Sequence, residues 1–168
     1  MSRFTPFVVL LAGALAVGVG CQKDSSDHSD KSVSKTAGAA AGATLWSRLG
    51  GEPAVRAVVH DFVGRGAANP KVNFTRVGHP NEWKPTPQDL TKLEQRLVEF
   101  ISENTGGPLK YKGKDMVTVH TGMQISNAEF DALAADLGAS LDKFKVPKKE
   151  KDELIAVVAS TRGQIVNK

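Results

Sequence analysis

From residue 45 onward, apolar residues recur every three or four positions, which is the spacing of helices that bury one face. The spacing predicts a short helix at 45–49 and a second helix that starts near Pro53 and ends by Gly64 and Gly66. The buried stripe of the second helix is Val55, Val58, Val59, Phe62 and Val63. No stretch of the sequence alternates as a half-buried strand does, so the pattern predicts an all-α domain.

A loop and a long helix follow. Residues 69–86 are rich in Pro, Gly and Asn and predict irregular structure. Thr86, Pro87 and Asp89 have the composition of a helix start, and the helix is predicted to end at Gly106-Gly107. One face of this helix carries Leu90, Leu93, Leu97, Phe100 and Ile101.

Two further helices are predicted in the C-terminal part. Ser126 and Glu129 have the spacing of a capping box and predict the start of a helix over 126–142. A last helix is predicted from Pro147 to Ile165. The turn at 143–147 is short, as in an antiparallel helix pair.

The N-terminus has the pattern of an export signal. Arg3 precedes an apolar run at 7–19, too short for a comfortable membrane span, and the sole cysteine, Cys21, follows. We expect residues 1–21 to form a lipoprotein-type signal peptide that is cleaved before Cys21, with export and a lipid anchor to a membrane surface. A lipobox usually has Leu, Val or Ile where this chain has Gly18, so an exported protein without lipid is the alternative.

Residues 22–43 are rich in Ser, Asp, Lys, Gly and Ala and predict a disordered tether, which leaves 44–168 as the folded domain. The net charge of +4 is modest. The densest lysine cluster, at 143–151, has no interleaved aromatic residues that would stack on bases, so a nucleic-acid partner is not expected.

The candidate chemistry lies around His120. Met116, Val119 and Met123 share a helical stripe with this histidine, and a neutral imidazole in an apolar wall can ligate a metal. The alternative is a core histidine that is bonded to a backbone carbonyl. The spacing alone favours that alternative.

From Thr44 to the C-terminus the chain resembles the group 1 truncated haemoglobins. The matching segments are LWSRLGGEPAV at 45–55, GGP at 106–108, Tyr111, Gly113 and Met116 before His120, the capped helix at 126–142, and VPKKEKDELIAVVASTRGQIV at 146–166.

The resemblance implies a truncated globin fold in which two helices pack across two others with haem between the pairs. His120 matches the proximal iron ligand of that family. The sequence has no C-x-x-C-H motif, so a non-covalent haem b is expected, with O₂, NO and CO as diatomic ligands. A redox partner is not identified by the sequence.

The haem contacts implied by the resemblance come from four parts of the chain. Phe74 falls at or next to the position where globins place a phenylalanine against the porphyrin, although the family usually has two in a row and this chain has Asn73-Phe74. The full set of predicted contacts is Val63, Phe74, Leu93, Leu97, Phe100, Ile101, Met116, Val119 and Met123.

The distal side departs from the family pattern. Many members have tyrosine where this chain has Val63, and a partner glutamine where it has Leu97. A hydrogen bond to a charged group contributes about 1.5–3 kcal/mol, so the loss predicts O₂ retention weaker by about 10- to 100-fold.

Several polar side chains are secondary candidates. His79, in the loop at 75–86, could be a sixth iron ligand or a solvent-exposed residue, and His60 is expected on the surface. Gln95 and Arg96 could reach the haem edge, and Arg96 or Lys110 could pair with a propionate. For each of these, the alternative is a solvated position.

Two other functions stay open. A haem-less helical lipoprotein could have kept the fold as an interaction or sensor module. An enzymatic role, oxidation of NO with O₂ or a weak peroxidase reaction, is less favoured, because efficient O–O cleavage requires polar distal groups.

Overall fold

Helices provide the regular secondary structure of residues 42–168, the part of the chain that the computed structural model describes. They are α1 (Leu45–Arg48), α2 (Gly51–Ala68), α3 (Pro87–Asn104), α4 (Met116–His120), α5 (Asn127–Lys143), α6 (Lys148–Ala159) and α7 (Arg162–Ile165). None of these helices is both long and apolar enough to cross a membrane. The signal peptide and the lipid anchor fall outside the described residues, as does nearly all of the tether, and they stay predictions.

Helix α2 joins two layers, because it packs against α3 on one side and α5 on another, while α5 also packs against α6. The pairs α2–α3 and α5–α6 form the two-over-two arrangement, so the predicted all-α architecture is confirmed. Helix α1 closes one end against α2 and α6. The most deeply buried apolar side chains come from both layers and are Val59, Val98, Leu137, Leu141 and Leu154.

Capping boxes begin α3, where the sequence predicts a helix start, and α5, where it predicts the capping box itself. The Thr86 hydroxyl accepts a hydrogen bond from the Asp89 N–H, and the Asp89 carboxylate accepts one from the Thr86 N–H. Ser126 and Glu129 form the same reciprocal pair at the start of α5. Each pair satisfies N–H groups that have no partner inside the helix, and so fixes where the helix begins.

The predicted last helix is interrupted, so the expectation of one continuous helix to Ile165 was wrong. Helix α6 ends at Ala159, and α7 begins at Arg162. Between them the Ser160 hydroxyl donates to the Val157 carbonyl at 2.7 Å, and the hydroxyl of Thr161 donates to the next carbonyl at 2.7 Å. Such bonds compete with the helical backbone ladder, which explains the break.

A buried ion pair fastens the 69–86 loop to the start of α5. The side chain of Arg76 is only 5% exposed, and its Nη1 donates to Glu129 Oε1 at 2.7 Å. Its Nη2 donates to the Gln124 carbonyl at 3.0 Å. Burial alone would raise the pKa of Glu129, but hydrogen bonds from Ser126 and the Arg76 guanidinium outweigh it and lower the pKa to about 2.

Replacing Arg76 by methionine should lower the free energy of unfolding at pH 7 by about 3 kcal/mol, because it removes the cationic partner of Glu129, whose side chain is only 18% exposed. The native pKa of Glu129 is below its ordinary value of 4.5, so this carboxylate stabilises the fold above that pH, and the contribution is lost as the pH falls toward 2. The stability gap between wild type and Arg76→Met should therefore narrow in acid.

Urea unfolding followed by circular dichroism at pH 7 and pH 3 measures this gap. The matched control is Lys148→Met, which removes a cation from an exposed i,i+4 pair with Asp152 and should change the unfolding free energy by less than about 1 kcal/mol. Two results would contradict a stabilising ion pair between Arg76 and Glu129. One is an equal loss of unfolding free energy in both variants, and the other is a difference between wild type and Arg76→Met that does not change with pH.

Candidate functional site

Helix α4 is a single short helix that carries the candidate histidine as its last residue. Asp115 caps it, accepting hydrogen bonds from the Thr118 N–H at 2.9 Å and from the Thr118 hydroxyl at 2.5 Å. Within residues 42–168, the closest helix packing of α4 is with the short helix α7. The side chains of the predicted stripe are therefore half-buried rather than enclosed: Met116, Val119, His120 and Met123.

Met123 lies beyond the end of α4, so the expectation that one helix carries the whole stripe was wrong. Thr121 leaves the helical conformation (ψ 128°), and Gly122 follows with a left-handed backbone (φ +77°) that glycine adopts freely. A hydrogen bond of 3.1 Å from the Met123 N–H to the His120 carbonyl closes the turn and keeps Met123 beside the histidine.

The imidazole of His120 is oriented as a metal ligand requires. Its Nδ1 lies 2.8 Å from the Met116 carbonyl oxygen. Because a carbonyl can only accept, Nδ1 carries the hydrogen and Nε2 carries the free lone pair. Burial lowers the pKa of His120, against the opposing effect of this hydrogen bond, so the ring is neutral at pH 7. Nε2 has no hydrogen-bonding partner within residues 42–168.

An apolar face of α3 is also incompletely covered. Leu93, Leu97 and Phe100 are half-buried, and α3 does not pack closely against α4 in the described part of the chain. Val63 on α2 is 5% exposed and lies in the core cluster. Leu93, Leu97, Phe100 and the stripe around His120 provide incompletely buried apolar surface for a flat apolar ligand, whereas Val63 is buried.

Ile101 differs from the other predicted contacts on α3. It is 4% exposed and lines a small space in the core with Leu49, Val58 and Leu141. It occupies the next helical position after Phe100 and turns toward α1, α2 and α5 instead of the half-covered face. The structure therefore gives Ile101 a role in packing.

Phe74 is half-buried beside the end of α2. Its ring lies 5.9 Å from that of Trp83, and a side chain at Gly66 would come within 3.5 Å of Phe74 and 3.0 Å of Leu133. Glycine at position 66 thus lets both side chains approach α2. Leu133 was missed as a candidate contact because its stripe on α5 predicts ordinary core, and only its half-buried position next to Phe74 distinguishes it.

The loop histidine, His79, lies beside Arg76, which contacts the segment after α4. Its Nε2 is 3.3 Å from Arg76 Nη2, and Arg76 also contacts the Gln124 carbonyl. The structure therefore pairs the imidazole of His79 with the Arg76 side chain, and we do not propose His79 as a sixth iron ligand. His60 is exposed as expected, with its Nδ1 3.0 Å from Glu94.

The predicted partners of haem propionates are paired within the chain. Arg96 donates to Glu99 Oε2 at 2.6 Å, Gln95 donates to Glu99 Oε1 at 3.0 Å, and Lys110 lies 3.6 Å from Glu103. The hydrogen bond from Gln95, followed by those from Arg96 and the Lys112 N–H, lowers the pKa of Glu99 to about 2, although burial opposes it. These side chains fasten the segment after α3, which sequence patterning did not predict.

This donor set fits haem. A single neutral imidazole among apolar side chains suits a metal that brings its own equatorial ligands, as haem iron does. The apolar residues of α3 and α4 suit the faces of a porphyrin, and the hydrogen bond from Nδ1 to a carbonyl is the usual outer-shell contact of a ligating histidine.

Comparison with known proteins identifies the class. The family model for bacterial-like globins matches residues 44–167. The chain therefore belongs to the bacterial-like globins.

Its relatives within that family are group 1 truncated haemoglobins. The protein of that name from Tetrahymena pyriformis is 32% identical over 125 residues, which cover 74% of this chain and 96% of the relative. A group 1 truncated haemoglobin from Nostoc sp. (strain MUN 8820) is 28% identical and covered to 98%. The crystal structure of the Tetrahymena pyriformis protein in its Fe(III) form superposes with a TM-score of 0.64 at 30% identity, covering 75% of this chain and all of that one.

Proposed function

We propose that residues 44–168 bind a non-covalent haem b through His120 Nε2 and present its iron to diatomic gases. When bound, the haem supplies one iron coordination position at which such a gas binds. The observation that carries the proposal is the hydrogen bond from His120 Nδ1 to the Met116 carbonyl, which leaves Nε2 as an unpaired donor in a half-covered apolar stripe. Membership of the bacterial-like globins supports it.

Binding is driven mainly by burial of apolar surface. Leu93, Leu97 and Phe100 would cover one face of the haem, and Met116 and Val119 would surround the ligating imidazole. Each of these side chains is partly exposed in the structure, and covering apolar surface contributes about 25 cal/mol per Å². His120 Nε2 would hold the iron, and Phe74 would pack at the edge of the haem.

The two side chains proposed for the distal side, Val63 and Leu97, are not hydrogen-bond donors. They can neither donate nor accept, so they would exclude water without stabilising a ligand that carries charge. Bound O₂ carries partial negative charge and depends on donors, whereas CO and NO depend on them less. We infer that the domain retains O₂ weakly and serves in transient binding of diatomic gases, not in O₂ storage.

Replacing His120 by alanine tests the axial ligand. Wild type reconstituted with haemin should give a Soret band, and His120→Ala should lose haem more than about 10-fold faster, since even loss of an outer-shell contact to a metal ligand costs 10- to 100-fold. Transfer of haem to excess apomyoglobin, followed by absorbance, measures the rate. His60→Ala, which alters an exposed histidine on α2, is the matched control and should behave as wild type.

Identical spectra and rates for His120→Ala and wild type would show that another residue holds the iron. A wild type that is helical by circular dichroism but gives no Soret band after haemin titration would instead support the haem-less interaction or sensor module.

Introducing a tyrosine at Val63 tests the distal side. One recovered hydrogen bond to a charged group should slow O₂ dissociation from the ferrous protein by about 10-fold or more. Stopped-flow displacement of O₂ measures the rate, and the CO dissociation rate should change much less. Val63→Phe adds the ring without the hydroxyl and separates crowding from hydrogen bonding. Tight O₂ binding by wild type, or equal effects of Tyr and Phe, would contradict the proposed apolar pocket.

A further inference from the structure

The turn that follows His120, residues 121–126, needs support from outside itself. Gly122 and Gln124 both have left-handed backbones, with φ of +77° and +52°. Glycine adopts this conformation freely, whereas glutamine does so at a cost, and such a residue persists only where its surroundings hold it. Helix α4 gives little support, because five residues are too few for a helix to be stable alone.

Asn167 holds both ends of this turn. Its side-chain Nδ2 donates to the His120 carbonyl at 3.0 Å, and its Oδ1 accepts from the Ile125 N–H at 3.0 Å. Its backbone N–H donates to the Ile125 carbonyl, also at 3.0 Å. The side-chain amide of Asn167 therefore holds two backbone groups. It donates to the carbonyl of His120, the candidate ligand, and it accepts from the N–H of Ile125, five positions later.

Other contacts place this asparagine in a position to set the direction of the imidazole. Helix α7, which precedes Asn167, is the helix against which α4 packs. From another element, Arg76 donates to the Gln124 carbonyl at 3.0 Å. The middle of the turn is thus held by the 69–86 loop, and its ends are held by Asn167.

We propose that Asn167 is a positioning residue for His120: it fixes the end of α4 and the 121–126 turn, and so fixes the direction in which His120 Nε2 is offered to a metal. This role rests on the proposed function, in which that nitrogen ligates haem iron. Without the amide, the end of α4 would be held less firmly, and His120 Nε2 would be offered to the metal in a less defined direction.

Two variants at this position separate its contacts. Asn167→Ala removes both side-chain hydrogen bonds and should speed haem loss by about 5- to 30-fold, as expected for two neutral bonds. Asn167→Asp keeps an acceptor for the Ile125 N–H but sets a carboxylate oxygen against the His120 carbonyl oxygen, so it should lose haem at least as fast as Asn167→Ala. Gln164→Ala removes an exposed amide side chain from α7 and is the matched control, with an unchanged rate expected.

Amide hydrogen exchange in the haem-free protein gives a readout that does not depend on haem. Asn167→Ala should accelerate exchange in residues 117–125 while the urea midpoint of the domain shifts little, because Asn167 is exposed and outside the core. If both Asn167 variants lose haem and exchange amides at the Gln164→Ala rates, the proposal is overturned. If exchange accelerates but haem loss does not, Asn167 orders the turn without positioning the ligand, and the proposal is equally overturned.

Failure of the proposed function gives a different result. A wild type that binds no haem would contradict the proposed function and, with it, the role of Asn167 in positioning a haem ligand. The exchange measurement would still show whether Asn167 holds the turn.

Discussion

The site depends on one hydrogen bond, from His120 Nδ1 to the Met116 carbonyl one helical turn earlier. This bond uses the single N–H of a neutral imidazole inside its own short helix. The free lone pair is therefore left on Nε2, the nitrogen farther from the backbone. Burial lowers the pKa of the ring, so protons do not compete for that lone pair at neutral pH. The Nε2 lone pair is therefore available to a metal without a change of tautomer.

The helix that carries this donor is packed less closely than the helices of the core. The helices α2, α3, α5 and α6 enclose a core that includes the fully buried Leu141 and Leu154, whereas the closest helix packing of α4 is with the short helix α7. Apolar residues on α3 and α4 stay partly exposed, at a cost that an apolar ligand would offset. The segment that carries the candidate ligand also receives side-chain hydrogen bonds from Arg76 and Asn167, residues that lie far from it in sequence.

Sequence patterning predicts the scaffold well and the site poorly. Periodic valines and leucines, with a helix start at Thr86 and a capping box at Ser126, predict α2, α3 and α5, because these signals are local. The spacing around His120 favours a core histidine, and only the resemblance to a family identifies a ligand. The roles of Arg76 and Asn167 could not be predicted, since each depends on contacts between distant segments that no periodicity records. The break at Ser160 and Thr161 has a local signal in its two hydroxyls, which hydrophobic spacing does not register.

The resonance Raman spectrum of the ferrous, ligand-free protein reconstituted with haem tests the central claim most directly. Ligation by His120 with an apolar distal side predicts a five-coordinate high-spin iron and an iron–histidine stretching band. A six-coordinate low-spin spectrum would place a second protein ligand on the distal side, and five-coordinate iron without that band would mean that a residue other than a histidine holds it. Either result would contradict the account.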